Sequence, residues 1–200
     1  MKKLLVIHTE YQEKGGEDIA VRNEIDFLSK YFETDELIFS NVIDNYLLQT
    51  VNFFRNKNSK SLKIIDKKIE KFKPDIVYIH NTWFKVSLGI FDLLEKKKIK
   101  PILKIHNFRY DCTKSQFISK HVSNGETCNA CGLENNNRFF NKYFENSYIK
   151  SFFVNHYGKK YFEILKSYNL EIVVLTKFHE KYFKEINLVK NNITVIPNII

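Results

Sequence analysis

The stretch Pro101-Ile102-Leu103-Lys104-Ile105-His106-Asn107-Phe108-Arg109 decides the fold. Its apolar run is short and rich in branched residues, and the proline stands where it can stop a preceding helix without breaking a sheet. A short apolar run of this kind suits a parallel strand covered on both faces. The run ends abruptly on His106-Asn107. Upstream the same arrangement occurs: Pro74 precedes Asp75–Ile79, which ends on His80-Asn81. A single histidine at a strand end is commonly structural, bonded to a nearby carbonyl. Two His-Asn pairs at the carboxyl ends of successive strands instead point to one rim of a sheet, where open α/β folds bind ligands.

Outward from this pair, further short runs occur at Leu4–Ile7, Leu37–Phe39, Ile172–Leu175 and Ile193–Ile196. They alternate with helical spacing at about 17–31, 42–54, 60–72, 87–97, 140–166 and 178–186. The pattern predicts an α/β fold, a Rossmann-like parallel sheet of about six or seven strands flanked by helices on both faces. A chain of 200 residues, 44% of them hydrophobic, can bury a full core, so one domain over 1–200 is expected.

Composition narrows the setting. Met1-Lys2-Lys3 is followed by only four apolar residues before His8, Thr9 and Glu10, too few for a secretory h-region. No stretch approaches the roughly 18 apolar residues of a membrane span. Three cysteines, an odd number without an export signal, favour a reducing compartment, so the chain is expected in the cytoplasm or at the inner face of the membrane. The net charge of +9 favours an anionic partner. Much of it lies in Arg55, Lys57, Lys60, Lys63, Lys67, Lys68, Lys71 and Lys73, beside only Asp66 and Glu70. That segment is a solvated helix or a surface that leans on anionic lipid. No nucleic-acid partner is expected, because no basic-aromatic groove motif accompanies the charge. Phe140, Phe144, Tyr148 and Phe152, and beside them Phe153, Tyr157 and Tyr161, recur at steps of four and form either a core-facing stripe or a face that dips into a membrane surface.

Several residues suit chemistry. Gly15-Gly16 lies between the first strand and the first helix, where glycines permit positive φ and let backbone N–H groups approach a phosphate. It is neither a dinucleotide fingerprint nor a Walker A sequence. Glu17 and Asp18 equally suit the role of helix caps. Cys128-x-x-Cys131 is half of a zinc knuckle, and Cys112 supplies a third thiolate, one short of the four ligands a structural zinc takes.

In chain order, Gly15-Gly16-Glu17-Asp18, the His106-Asn107-Phe108-Arg109 segment with Cys112 after it, Thr176-Lys177-Phe178 and Pro197-Asn198 resemble the N-terminal half of a family-4 glycosyltransferase. The likeness runs from Leu4 to Asn198. It implies the N-terminal Rossmann-like half of a GT-B fold, with the C-terminal donor domain absent from the chain. The implied reaction is retaining transfer of a sugar from a nucleotide-sugar to a glycan or lipid-linked acceptor, in cell-surface polysaccharide or lipid-linked glycan synthesis, with no cofactor or metal needed for catalysis. By the same resemblance Gly15, Gly16, Glu17 and Asp18 face the donor diphosphate and acceptor, joined less firmly by Glu24. His106 is the catalytic residue that contacts the donor sugar. His80 and Asn81 support the cleft floor or the acceptor, Asn107 ends the strand beside them, Arg109 pairs with a phosphate or holds its loop, and Thr176 caps a helix at the substrate side. Relatives carry a fourth cysteine before the aromatic helix, where this chain reads Lys142-Tyr143-Phe144. Either His121 completes a structural zinc on Cys112, Cys128 and Cys131, or the three are reduced thiols in an acceptor-facing loop.

The resemblance leaves a catalytic cleft between this half and a C-terminal domain or a partner chain. The 200-residue chain is therefore expected to fold, yet neither to transfer sugar nor to bind a nucleotide-sugar tightly. The alternative is a non-catalytic Rossmann-like module, left by gene truncation, that binds an acceptor or a membrane surface.

Overall fold

The computed structural model describes residues 1–11, 15–42, 46–108, 110, 147–185 and 192–199. Cys112, His121, Cys128 and Cys131 fall outside these, as do Arg109, Phe140 and Phe144. The chain divides into two compact units, Met1–His106 with Lys166–Ile200, and Asn107–Leu165.

The first unit is built on six strands, β1 (Lys3–Glu10), β2 (Glu33–Ser40), β3 (Ile76–Ile79), β4 (Ile102–Ile105), β5 (Glu171–Val174) and β6 (Asn192–Val195). All pairings are parallel, in the order β2-β1-β3-β4-β5-β6. Helices α1 (Gly16–Leu28), α2 (Tyr46–Phe54), α3 (Ser59–Phe72) and α4 (Gly89–Lys96) fall between the first four strands. Helix α5 (Tyr148–Ser167) precedes β5, and α6 (Lys177–Glu185) precedes β6. The fold is α/β and Rossmann-like.

Strand order locates the crevice. The chain steps from β1 out to β2, then crosses back past β1 to β3 and continues outward from there. Right-handed crossovers put α1 on one face and α3, α4 and α6 on the other. The connections therefore diverge between β1 and β3, the topological switch point at which such sheets leave a crevice above their carboxyl ends.

Alternation along the strands then sorts side chains between the faces. Leu4, Val6 and Tyr78 form a buried cluster with Ile25 and Leu28 of α1, together with Ile76 and Ile102. Leu5, Ile7, Val77, Ile79, Leu103 and Ile105, the residues between them, are buried as well. Both faces of the central strands are thus covered, which is why these runs read as nearly continuous apolar sequence.

On α3, Leu62, Ile65 and Ile69 are buried at steps of three and four, while Lys60, Lys63, Lys67 and Lys71 are exposed. Asp66 and Glu70 both pair with Lys97, the residue just past the end of α4, and Lys68 reaches Asp35 at 2.6 Å. No helix among the described residues is long and apolar enough to cross a membrane.

In the second unit, Ser147 precedes α5, and its hydroxyl accepts the Lys150 N–H at 3.3 Å. The aromatic stripes are treated unequally. Tyr157 and Tyr161 are buried, Phe152 and Phe153 are half-buried, and Tyr148 is exposed. Tyr161 meets Tyr110 edge to face at 6.2 Å between ring centres.

Helices α3 and α4 both end on lysines in the left-handed region, Lys73 (φ 52°) and Lys98 (φ 58°). A side chain there costs about 1–2 kcal/mol, while glycine's greater loss of chain freedom on folding is about 0.5–1 kcal/mol. Lys73→Gly and Lys98→Gly should therefore each be neutral to stabilising, by up to about 1 kcal/mol, seen as a higher urea midpoint at unchanged slope. A fall in the midpoint for both would show that the lysine side chains contribute more than their backbone strain costs.

Candidate active site

The deepest part of the α1 face holds a buried charge pair. Lys104 has no exposed surface, and its Nζ donates to Glu24 Oε2 at 2.7 Å. Glu24, on α1, also accepts the Tyr78 hydroxyl at 2.8 Å through Oε1. Burial, with Glu24 beside it, pushes the Tyr78 hydroxyl far up, so it stays a donor. One carboxylate thus ties α1 to both β3 and β4.

Alternation carries the next residue of each strand to the rim above this pair. His8 ends the α1-facing set on β1, His80 follows β3 and His106 follows β4. His80 Nδ1 and His106 Nε2 are 3.0 Å apart. The ring of His8 meets that of His80 edge-on at 6.1 Å. His8 Nε2 donates to Asp18 Oδ1 at 2.8 Å, and Asp18 Oδ2 accepts the Gly15 N–H at 2.8 Å. A continuous row results, Gly15, Asp18, His8, His80 and His106, at the switch point. The sequence picks out four of these five and passes over His8, because the apolar run Leu4–Ile7 ends one residue before it.

These imidazoles are neutral. Burial pulls His106 down to about 3, with the Lys104 charge and the neighbouring His8 and His179 pushing the same way. Burial lowers His80 well below its ordinary value, helped by His106, His8 and Lys104. At His8, burial outweighs the opposing pull of Asp18. His179, buried on α6, is lowered to about 4 by burial. Among the described residues, each of the three rim histidines keeps one buried nitrogen without a hydrogen-bond partner: His8 Nδ1, His80 Nε2 and His106 Nδ1. Such atoms cost free energy unless water or a ligand completes them. Among the described residues, no group of three or more His, Cys, Asp or Glu side chains is arranged to hold a metal ion.

The remaining expected residues divide by what already holds them. Neither Gly15 (φ −108°) nor Gly16 takes a positive φ, so the conformational reason expected for these glycines does not hold. Among the described residues, a Cβ on Gly16 would meet nothing within 4 Å. Glu17 Oε2 accepts the Tyr11 hydroxyl at 2.9 Å. Asn81 clamps the loop after β3, donating to Thr9 O at 3.0 Å and accepting the Trp83 N–H at 2.9 Å. That loop holds Phe84 (φ 58°) and Ser87 (φ 67°) in the left-handed region. Thr176 caps α6 by accepting the His179 N–H at 3.1 Å. Asn107 begins the second unit. A separate cleft of about 280 Å³ lies between the end of α4 and the segments leading into β4 and β5, lined by Phe91, Ile99, Pro101, Tyr168 and Leu170 among others. It is at the opposite end of the strands from the histidines.

Removing one partner of a buried pair strands the other. Lys104→Met should cost about 3–5 kcal/mol in urea unfolding, and the double variant with Glu24→Leu should cost less than the single. Equal losses for single and double variants would show that Glu24 is already solvated. Stability should also depend on pH. A histidine lowered in the fold binds its proton first in the unfolded chain, so its contribution is complete above about 6.5 and is lost as pH falls toward the folded value. For His106 that window is about 6.5 down to about 3, with a slope of up to about 1.4 kcal/mol per pH unit for each such histidine. Thermal unfolding across the window checks this, and flat stability between about pH 6.5 and about 5 would show the cluster to be hydrated.

No family model matches the chain, and no curated protein matches it. Among solved structures it aligns over 98% of its length with UGT2 of Phytolacca americana complexed with UDP-2fluoro-glucose and pterostilbene, at 12% identity and a TM-score of 0.51, covering 53% of that chain. It also aligns with MnaA of S. aureus in a co-structure with UDP, at 12% identity and a TM-score of 0.38, over 100% of this chain and 69% of that one. The chain spans about half the length of UGT2. At this identity, what the chain shares with UGT2 is its fold.

Proposed function

We propose that the chain forms the acceptor-side half of a GT-B glycosyltransferase, which transfers a sugar from a nucleotide-sugar to a glycan or lipid-linked acceptor with retention of configuration. The observation that carries this reading is the row from Gly15 to His106 at the switch point, with three buried imidazole nitrogens awaiting partners. The fold shared with UGT2, whose complex holds UDP-2fluoro-glucose, agrees with it.

Each group has a chemical task in this reading. The start of α1 offers backbone N–H groups and the positive end of the helix dipole to a diphosphate. His106, neutral and set at the end of β4, hydrogen-bonds a sugar hydroxyl without competing for the phosphate charge. Lys104 and Glu24 hold α1 against the sheet, so both elements meet the ligand as one rigid body. A second domain holding the nucleotide would close the site and strengthen every electrostatic contact by excluding water.

The test is a titration of the isotope-labelled chain with UDP-glucose, followed by NMR. Shifts should gather at Gly15, Gly16, His8, His80 and His106. Gly16→Glu, which enters open space but brings a carboxylate to the phosphate position, should weaken binding at least tenfold while leaving the spectrum of the free protein largely intact. Shifts centred on Phe91, Pro101 and Leu170, or none at millimolar ligand, would overturn the proposal.

A further inference from the structure

We propose that His80 is a positioning residue for His106, locking its ring and the location of its proton so that His106 Nδ1 is the atom offered to the substrate. This rests on the reading of His106 as the sugar-contacting residue and adds a role for a side chain that acts through His106.

The argument starts from the 3.0 Å separation of His80 Nδ1 and His106 Nε2. Two nitrogens at that distance need one proton between them. With none, two lone pairs face each other; with two, N–H meets N–H. Neutral imidazole carries a single N–H, so the position of the shared proton dictates where the other protons go. If His80 Nδ1–H donates, His106 must carry its proton on Nδ1. If His106 Nε2–H donates, His80 must carry its proton on Nε2. Both rings therefore take the same tautomer, both Nδ1–H or both Nε2–H. Mixed pairs break the bond.

Geometry makes the coupling strict. His80 is 4% exposed, its ring is flanked by Tyr78 at 4.5 Å and His106 at 5.3 Å between centres, and His8 stands edge-on behind it. The ring cannot turn without losing those contacts. The groups facing the pair from the packed elements are the Lys104 ammonium beneath, His8 with Asp18 on the β1 side, and His179 from α6. His8 cannot substitute as a partner, because its Nε2–H is committed to the Asp18 carboxylate and its Nδ1 offers only a lone pair. The free atoms left by the pair are His80 Nε2 and His106 Nδ1. One is a donor and the other an acceptor, whichever way the shared proton lies. A sugar hydroxyl, which both donates and accepts, meets His106 Nδ1 in either arrangement.

The experiment is heteronuclear NMR of the 200-residue chain with isotope-labelled histidine, which reports the tautomer of each ring directly. His80 and His106 should show one matching tautomer and no titration between about pH 5 and about 8, the range in which ordinary histidines change charge. In His80→Leu, His106 should lose that single tautomer and show exchange between both forms. His80→Asn, whose side-chain amide reaches the place of Nδ1, should restore it. Opposite tautomers in the wild type, or a His106 spectrum unchanged by His80→Leu, would overturn the proposal. Should the leucine variant fail to fold, the wild-type tautomers and the asparagine variant still decide. The measurement needs no ligand, so a chain that ignored UDP-glucose yet kept matched tautomers would sink the reading of His106 and not the coupling of the two rings.

Discussion

The carboxylate of Glu24 stands between α1 and the sheet, taking Lys104 on one oxygen and the Tyr78 hydroxyl on the other. Burying an ammonium completely is tolerable only with such a partner in close contact. Because Glu24 belongs to α1 while its partners belong to β3 and β4, the helix can neither slide nor rotate without stranding a charge. The start of α1 is therefore placed relative to the strand ends, and with it Asp18 and the Gly15 N–H. Apolar packing by Ile25 and Leu28 fastens the same helix but is less particular about register.

The same pair sets the electrostatic character of the rim. A positive charge lies under imidazoles that burial already holds neutral, and it opposes the protonation of His80 and His106 further. Asp18 pulls the other way at His8 and does not prevail. The rim combines neutral hydrogen-bonding rings at the strand ends with a helix start that favours negative charge. This division suits a ligand with an uncharged polyol part and an anionic part, and it follows from which residues the pleat sends to one face.

Much of this was legible in the sequence, for identifiable reasons. β3 and β4 are apolar runs bounded by a proline and a His-Asn pair, so their ends fell where expected. β1 was read too short because His8, Thr9 and Glu10 are polar. In the structure His8 and Thr9 are buried, with His8 Nε2 bonded to Asp18 and the Thr9 hydroxyl accepting the Val86 N–H at 3.4 Å. Lys104 was invisible as a charge because it lies inside an apolar run, and only its distant partner Glu24 explains it. The glycines are legible by position but not by reason, since neither takes a positive φ. The proposed zinc ligands lie beyond the described residues.

Lys104 also bears on how the chain reaches this state. β4 pairs with β3, which precedes it closely, but its other neighbour β5 follows only after about 65 residues, so that edge stays open while the connection closes. An unpaired edge of Ile102, Leu103 and Ile105 would be a template for association with another chain. A charged residue in the centre of that strand makes any such pairing bury an ammonium without Glu24. The side chain that anchors α1 in the finished protein therefore guards the growing sheet against its own copies.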